Sequence, residues 1–147
     1  MRLLITGATG FIGSHLSAKL AQDSNEIICL GRNFETNFAQ NFHNSKFQLI
    51  ECDITDWNDL VNKLKSIGKI DCVFHLAGKT AQKNISDPQM YFNNNFTGTL
   101  NILEWCRQNN VKKFVYSSSI AVYGLSANQF NSKYLPVDEI HPALPYD

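Results

Sequence analysis

The chain has 147 residues, 44% of them apolar, which is about one domain's worth and enough to bury roughly 70% of the surface the unfolded chain exposes. Thirteen basic residues balance 13 acidic ones, so no whole-chain field draws it to nucleic acid or anionic lipid, and a polybasic binder is excluded. Twelve per cent aromatics and no run of biased composition exclude a disordered chain.

In chain order, short apolar runs alternate with helical patterns. Met1–Ile5 has the apolar look of a leader, but Thr6-Gly7-Ala8-Thr9-Gly10 interrupts it far short of a signal-peptide core. The candidate strands are Leu3–Thr6, Glu26–Leu30, Phe47–Glu51, Cys72–Leu76 and Phe114–Ser117, each short and apolar enough to be covered on both faces. Between them lie three stripes at helical spacing, each expected to face the sheet: Ile12, Leu16 and Leu20; Trp57, Leu60, Val61, Leu64 and Ile67; and Phe92, Phe96, Leu100, Leu103 and Cys106. The alternation predicts an α/β fold, a Rossmann-like doubly wound parallel sheet with right-handed crossovers, whose ligand site lies at the carboxyl ends of the strands. From Val122 to Asp147 the pattern dissolves, with Gly124, Pro136, Pro142 and Pro145 reading as loop.

Cys29, Cys52, Cys72 and Cys106 contain no C-x-x-C pair and fall among apolar residues, so they read as buried free thiols in a reduced compartment rather than as metal ligands. No segment approaches the roughly 20 apolar residues of a membrane span. A cytoplasmic location is the expectation, with neither nucleic acid nor membrane as a partner.

Directly after the first strand comes Gly7-Ala8-Thr9-Gly10-Phe11-Ile12-Gly13, at the start of the first helical stripe. Glycines suit a tight turn and let the backbone approach a diphosphate, which the free N–H groups and the helix dipole then hold. The second strand ends at Leu30 and is followed by Gly31-Arg32, where NAD-preferring sheets of this type carry an acid. Arg32 suits a bidentate pair with a phosphate and Gly31 leaves room for it, so these residues lean towards NADP over NAD. Asp53 also reads as a helix cap ahead of Trp57, and His75 as a hydrogen-bonded structural histidine at a strand end.

The G-x-x-G-x-x-G spacing, with Thr6 ahead of it and Phe11-Ile12 inside it, resembles the extended short-chain dehydrogenase/reductase family, specifically its sugar-nucleotide epimerases and dehydratases of the UDP-glucose/galactose 4-epimerase kind. Four further segments resemble the same family in order: Asp53-Ile54, His75-Leu76-Ala77-Gly78, Asn94–Asn101 and Val115–Gly124. The resemblance implies that Gly7, Gly10, Phe11, Ile12 and Gly13 hold the cofactor phosphates, and that Asp53 and Ile54 contact the adenine. It implies that Leu76, Ala77 and Gly78 border the ribose and nicotinamide. Asn94, Asn95 and Ser117 join this cofactor-binding set; which asparagine faces the cofactor is left open.

The same resemblance implies a catalytic pair, Ser119 after strand five and Tyr146 after Leu135-Pro136-Val137-Asp138-Glu139. Tyrosine exchanges a proton with a sugar hydroxyl while hydride passes to or from the nicotinamide, and serine orients that hydroxyl. A phenol near pKa 10 needs a neighbouring ammonium to act as a base at neutral pH. The family's Tyr-x-x-x-Lys lysine would fall at position 150, past Asp147, so the expectation is the cofactor-binding fragment, inactive alone, of a longer nucleotide-sugar epimerase, dehydratase or reductase. Family dehydratases carry an acid just after the catalytic Ser/Thr, and Ile120-Ala121 here favours epimerase or reductase. A homodimer through the helix at Tyr91–Asn109 is implied as well. The competing reading is a non-enzymatic NAD(P)-sensing or scaffold domain.

Overall fold

Leu3, Leu4, Ile5 and Thr6 are all buried, as a strand enclosed on both faces requires, and they form the middle of the sheet. A computed structural model describes residues 1–34, 46–80, 87–123, 125–126, 129–130, 133–143 and 145. They divide into two compact units, Met1–Tyr116 and Ser117–Asp147.

The first unit is a five-stranded sheet in the order β3-β2-β1-β4-β5. Its elements are β1 (Arg2–Thr6), α1 (Phe11–Gln22), β2 (Glu26–Gly31), β3 (Phe47–Glu51), α2 (Trp57–Leu64), β4 (Cys72–His75), α3 (Pro88–Phe92), a π-helical stretch Asn93–Thr97, α4 (Gly98–Gln108) and β5 (Lys113–Tyr116). Every pairing is parallel; Leu3–Thr6 of β1 match Ile27–Leu30 on one side and Cys72–His75 on the other. Each predicted strand is present to within one residue at either end.

Period-two alternation divides the core in two. Leu4, Ile28, Leu30 and Val73 point to one face with Leu60, Leu64, Ile102 and Trp105, whereas Leu3, Ile5, Ile27, Cys29 and Cys72 point to the other with Ala21. All four cysteines are buried and free.

Two of the three helical stripes are corrected. In α1 the buried residues are Gly13, Ser17 and Ala21; of the predicted stripe Ile12 is exposed and Leu16 half-buried, and only Leu20 packs, half-buried, against the core. The helix comes so close to the turn that only small side chains fit, and Ser17 satisfies its hydroxyl by donating to Gly13 O at 2.7 Å. In α4 the buried face is Gly98, Ile102, Trp105 and Cys106, while Phe92, Phe96, Leu100 and Leu103 are exposed. Gly98 sets this choice, because a Cβ there would sit 2.9 Å from Ile54 Cδ1. In the α2 stripe Leu60, Leu64 and Ile67 are buried as expected, and Val61 is not.

The second unit departs from the loop reading of Val122–Asp147. A 3-10 helix spans Ile120–Tyr123, and β6 (Leu125–Ser126) pairs antiparallel with β7 (Gln129–Phe130). Strands of two residues are too short for periodicity to reveal. His141 is buried in this unit and accepts from Lys133 N at 3.1 Å through Nε2.

Candidate functional site

The sheet reverses its order at β1, whose neighbours β2 and β4 are reached by crossovers in opposite senses. Loops leaving such a switch point diverge and open a crevice at the carboxyl edge. A cleft of about 210 Å³ lies there, within the first unit. Gly7, Thr9 and Gly10 line it after β1, Leu30, Gly31 and Arg32 at the end of β2, Cys52, Asp53 and Ile54 after β3, and Leu76–Lys79 after β4; Asn94 enters from the π-helical stretch.

The glycine turn has physical requirements that only glycine meets. Gly7 has φ +68°, and a Cβ there would lie 2.7 Å from Ala77 N and 2.8 Å from Leu76 O. At Gly13 a Cβ would overlap the Gly7 carbonyl oxygen. Gly10 is the N-cap of α1 without a side-chain cap, and the first turn contains no acid. The N–H groups of that turn, which have no partner inside the helix, therefore end the positive pole of a 12-residue helix beside the cleft. Phe11 and Ile12 do not line the cleft with their side chains, which are 82% and 61% exposed.

Asp53 is not the cap of α2. Asp56 is, accepting from Asn58 N and Asp59 N. Asp53 instead turns the chain after β3: its Oδ1 accepts from Thr55 N and Thr55 Oγ1 at 2.9 and 2.8 Å, and its own N–H donates to Asp59 Oδ2. Arg32 is exposed and lies in no ion pair among the described residues.

The two asparagines divide their work. Asn94 lines the cleft and donates to Met90 O at 2.9 Å. Asn95 holds the loop after β4 from behind, donating to Lys79 O at 2.9 Å and accepting from Lys79 N at 2.7 Å. His75 is buried between Thr6 and Thr99, 2.7 and 2.9 Å away, and burial pushes its pKa down to about 4. The structural reading of this histidine agrees with that placement.

Ser117 and Ser119 belong to the second unit and are exposed. Ser119 opens the 3-10 helix, its Oγ accepting from Ala121 N at 3.2 Å and its carbonyl from Val122 N at 3.1 Å. Tyr146 lies outside the described residues. Sequence reasoning did not assign Thr9, Cys52 and Lys79 to the cleft. Their signal was position alone: Cys52 precedes Asp53, and Lys79 directly follows His75-Leu76-Ala77-Gly78. Burial and the nearby Asp59 push the Cys52 thiol up to about 12, so it lines the cleft as an inert neutral group. Among the described residues, no group of three or more His, Cys, Asp or Glu could hold a metal, and no helix is long and apolar enough to cross a membrane.

Known proteins share this arrangement. UDP-glucose 4-epimerases from Pisum sativum and Drosophila melanogaster are 34% and 36% identical over 142 and 152 residues, covering 84% and 95% of this chain but 38% and 41% of their own. Among solved structures, the UDP-glucose 4-epimerase from Bifidobacterium longum in complex with NAD+ and UDP superposes with a TM-score of 0.80 at 29% identity, over 97% of this chain and 42% of its own. That of Thermus thermophilus in complex with NAD gives 0.78 at 30% identity, over 99% and 45%. The chain thus spans well under half the length of the relatives it matches. The profile of the NAD dependent epimerase/dehydratase family matches residues 3–147, and with the switch-point cleft and its glycine turn in place, the chain belongs to that family.

Proposed function

We propose that these residues are the NAD(P)-binding portion of an enzyme that epimerises or reduces a nucleotide-linked sugar. The observation that carries the reading is the cleft itself, where the glycine turn, the open N-terminus of α1 and the loops after β3 and β4 meet. The residues fit a dinucleotide: a Cβ at Gly7 or Gly13 would meet backbone, and the first-turn N–H groups of Phe11, Ile12 and Gly13 are free for a diphosphate. Asp53 and Ile54 take the adenine, Leu76, Ala77 and Gly78 the nicotinamide half, and Asn94 the wall between. Asn95 acts on the cofactor through Lys79. When bound, the nicotinamide supplies the hydride acceptor and donor.

Ser119 orients the sugar hydroxyl and Tyr146 moves its proton, in a phenolate-forming step that needs a nearby ammonium. Neither Ser119 nor Tyr146 supplies that ammonium, and the role assigned to these 147 residues by themselves is cofactor binding rather than sustained turnover. Ile120 and Ala121 after Ser119 supply no acid for a dehydration, which favours epimerase or reductase chemistry. The buried free thiols suit the cytoplasm. A second copy of the chain covers the exposed stripe Phe92, Phe96, Leu100 and Leu103, giving a homodimer.

Arg32 selects NADP by pairing with its 2′-phosphate. A fluorescence titration with NADH and NADPH at one ionic strength tests both claims. Saturable binding with tighter NADPH is expected, and Arg32→Ala should weaken NADPH by about tenfold while leaving NADH within about twofold. A clear NADH preference overturns the role of Arg32. Steady turnover of a UDP-sugar by this polypeptide overturns its assigned inactivity.

A further inference from the structure

His75 sits at the end of β4 beneath the cleft, yet its side chain does not line it. Its imidazole is fully buried and the described charged residues lie elsewhere; the groups packed on it are Thr6, Thr99, and the rings of Phe114 and Tyr116 at 5.9 and 5.8 Å. Its neighbours fix the tautomer. Thr99 Oγ1 donates its one hydrogen to Asn95 O at 2.6 Å, so towards His75 it accepts, and Nε2 carries the ring proton. Nδ1 is then an acceptor and takes the Thr6 hydroxyl hydrogen, which leaves Thr6 Oγ1 to accept from Ala77 N at 3.2 Å. One directional chain results, from Ala77 N–H through Thr6, His75 and Thr99 to Asn95 O.

Both ends of the chain reach the cleft wall. Ala77 lines it directly, and Asn95 clamps Lys79, itself a lining residue, in both directions, while its neighbour Asn94 also lines the cleft. A purely structural histidine needs only satisfied nitrogens. This one links the two segments that must keep their spacing for a ligand to fit. The π-helical stretch contributes to the same geometry, since it carries Asn94 and Asn95 one turn ahead of Thr99.

We infer that His75 is a positioning residue for the cleft: as a neutral imidazole protonated on Nε2, it locks the loop Leu76–Lys79 to the π-helical stretch Asn93–Thr97 and so sets the width of the dinucleotide site. The inference rests on the cofactor reading proposed above, but part of its test does not. Protonation would make Nδ1 a second donor to Thr6 Oγ1 and break the direction of the chain; burial keeps the ring neutral at ordinary pH.

The experiment compares Thr99→Val, which removes the hydroxyl at constant shape, with Thr99→Ser, which keeps it, and with Ile102→Val, a core substitution outside the relay. In the ligand-free chain, amide exchange at Ala77 and Lys79 should accelerate at least about tenfold in Thr99→Val and stay within about twofold of wild type in the other two. The same variant should weaken NADH or NADPH by about tenfold, with Thr99→Ser restoring it. If Thr99→Val lowers the melting temperature as Ile102→Val does but leaves both exchange and affinity unchanged, His75 is merely structural and the inference falls. Imidazole nitrogen NMR on the wild-type chain needs no variant: a proton on Nδ1 overturns the relay. A wild type that binds neither dinucleotide while Thr99→Val still frees Ala77 and Lys79 leaves the relay standing and sinks the cofactor reading instead.

Discussion

An imidazole buried without a counter-charge makes stability depend on pH. His75 holds a pKa of about 4 in the folded chain, through burial, against about 6.5 when unfolded. Between these values the unfolded state binds a proton that the folded state refuses, so stability rises with pH across this window. The contribution is complete above about pH 6.5 and is lost as pH falls towards 4, by up to about 3 kcal/mol. Urea unfolding at pH 7 and pH 5 should show the loss, and His75→Gln should remove most of that slope; an unchanged slope would mean that another group carries it. At this scale the sequence conveyed residue types but not partners. A histidine after a β-strand is visible, whereas its pairing with Thr6 and Thr99 depends on the β1–β4 register and on where α4 begins. Asp53 likewise reads as the cap of α2, and the real cap, Asp56, is told from it only by the turn that Asp53 makes with Thr55.

Helix packing beside the cleft is set by the smallest residues. α1 lies on Gly13, Ser17 and Ala21, and α4 on Gly98 with Ile102 and Trp105. A stripe of large apolar residues is the usual sign of a buried face, which is why Ile12, and Phe96, Leu100 and Leu103, pointed the wrong way, while Leu20 packs against the core at the helix's edge. Close approach inverts that sign, since backbone can meet backbone only where side chains are absent. The two glycines should respond differently to one methyl. Gly13→Ala drives Cβ into a carbonyl that cannot yield, and the chain should lose about 3 kcal/mol or more together with dinucleotide binding. Gly98→Ala presses on the Ile54 side chain at Cγ1 and Cδ1, both 2.9 Å away, which can give where a carbonyl cannot, and regains about 1 kcal/mol of helix propensity, so its loss should be clearly smaller than that of Gly13→Ala. Equal losses in urea melts would refute the distinction. Strands β1, β2 and β4 were legible for the opposite reason: their faces are both buried, so runs such as Leu3-Leu4-Ile5 needed no choice of side, whereas the edge strands β3 and β5, also expected to be covered on both faces, are largely exposed.

At the scale of the molecule, the parallel doubly wound sheet was legible in the alternation of elements, its strand order was not, and the cleft follows from the reversal at β1. What the alternation could not convey is the second apolar face of α3 and α4. Phe92 stacks on Phe96 at 4.9 Å, and Phe96, Leu100, Leu103, Phe114 and Tyr116 line a hollow of about 490 Å³. A homodimer through this face predicts that sedimentation shifts with concentration and that Leu100→Glu keeps the chain monomeric. Wild type remaining monomeric up to about 1 mM, where an association of about 4 kcal/mol would register, overturns it. The proposed catalytic pair was readable only through family resemblance, because Ser119 shows no periodicity and Tyr146 stands among residues with none.

The sheet also has a rim. β5 is its last strand, with Val115 and Tyr116 about half exposed and its outer N–H and C=O groups unpaired within the sheet. Such a rim is a template, ready to recruit any extended apolar segment as a further strand. The concentration at which the polypeptide stays dispersed therefore depends on such an edge, as it does on the other edge strand, β3, and not on the strength of its core alone. A charge placed at Val115 would keep it in solution longer while leaving its unfolding temperature where it was.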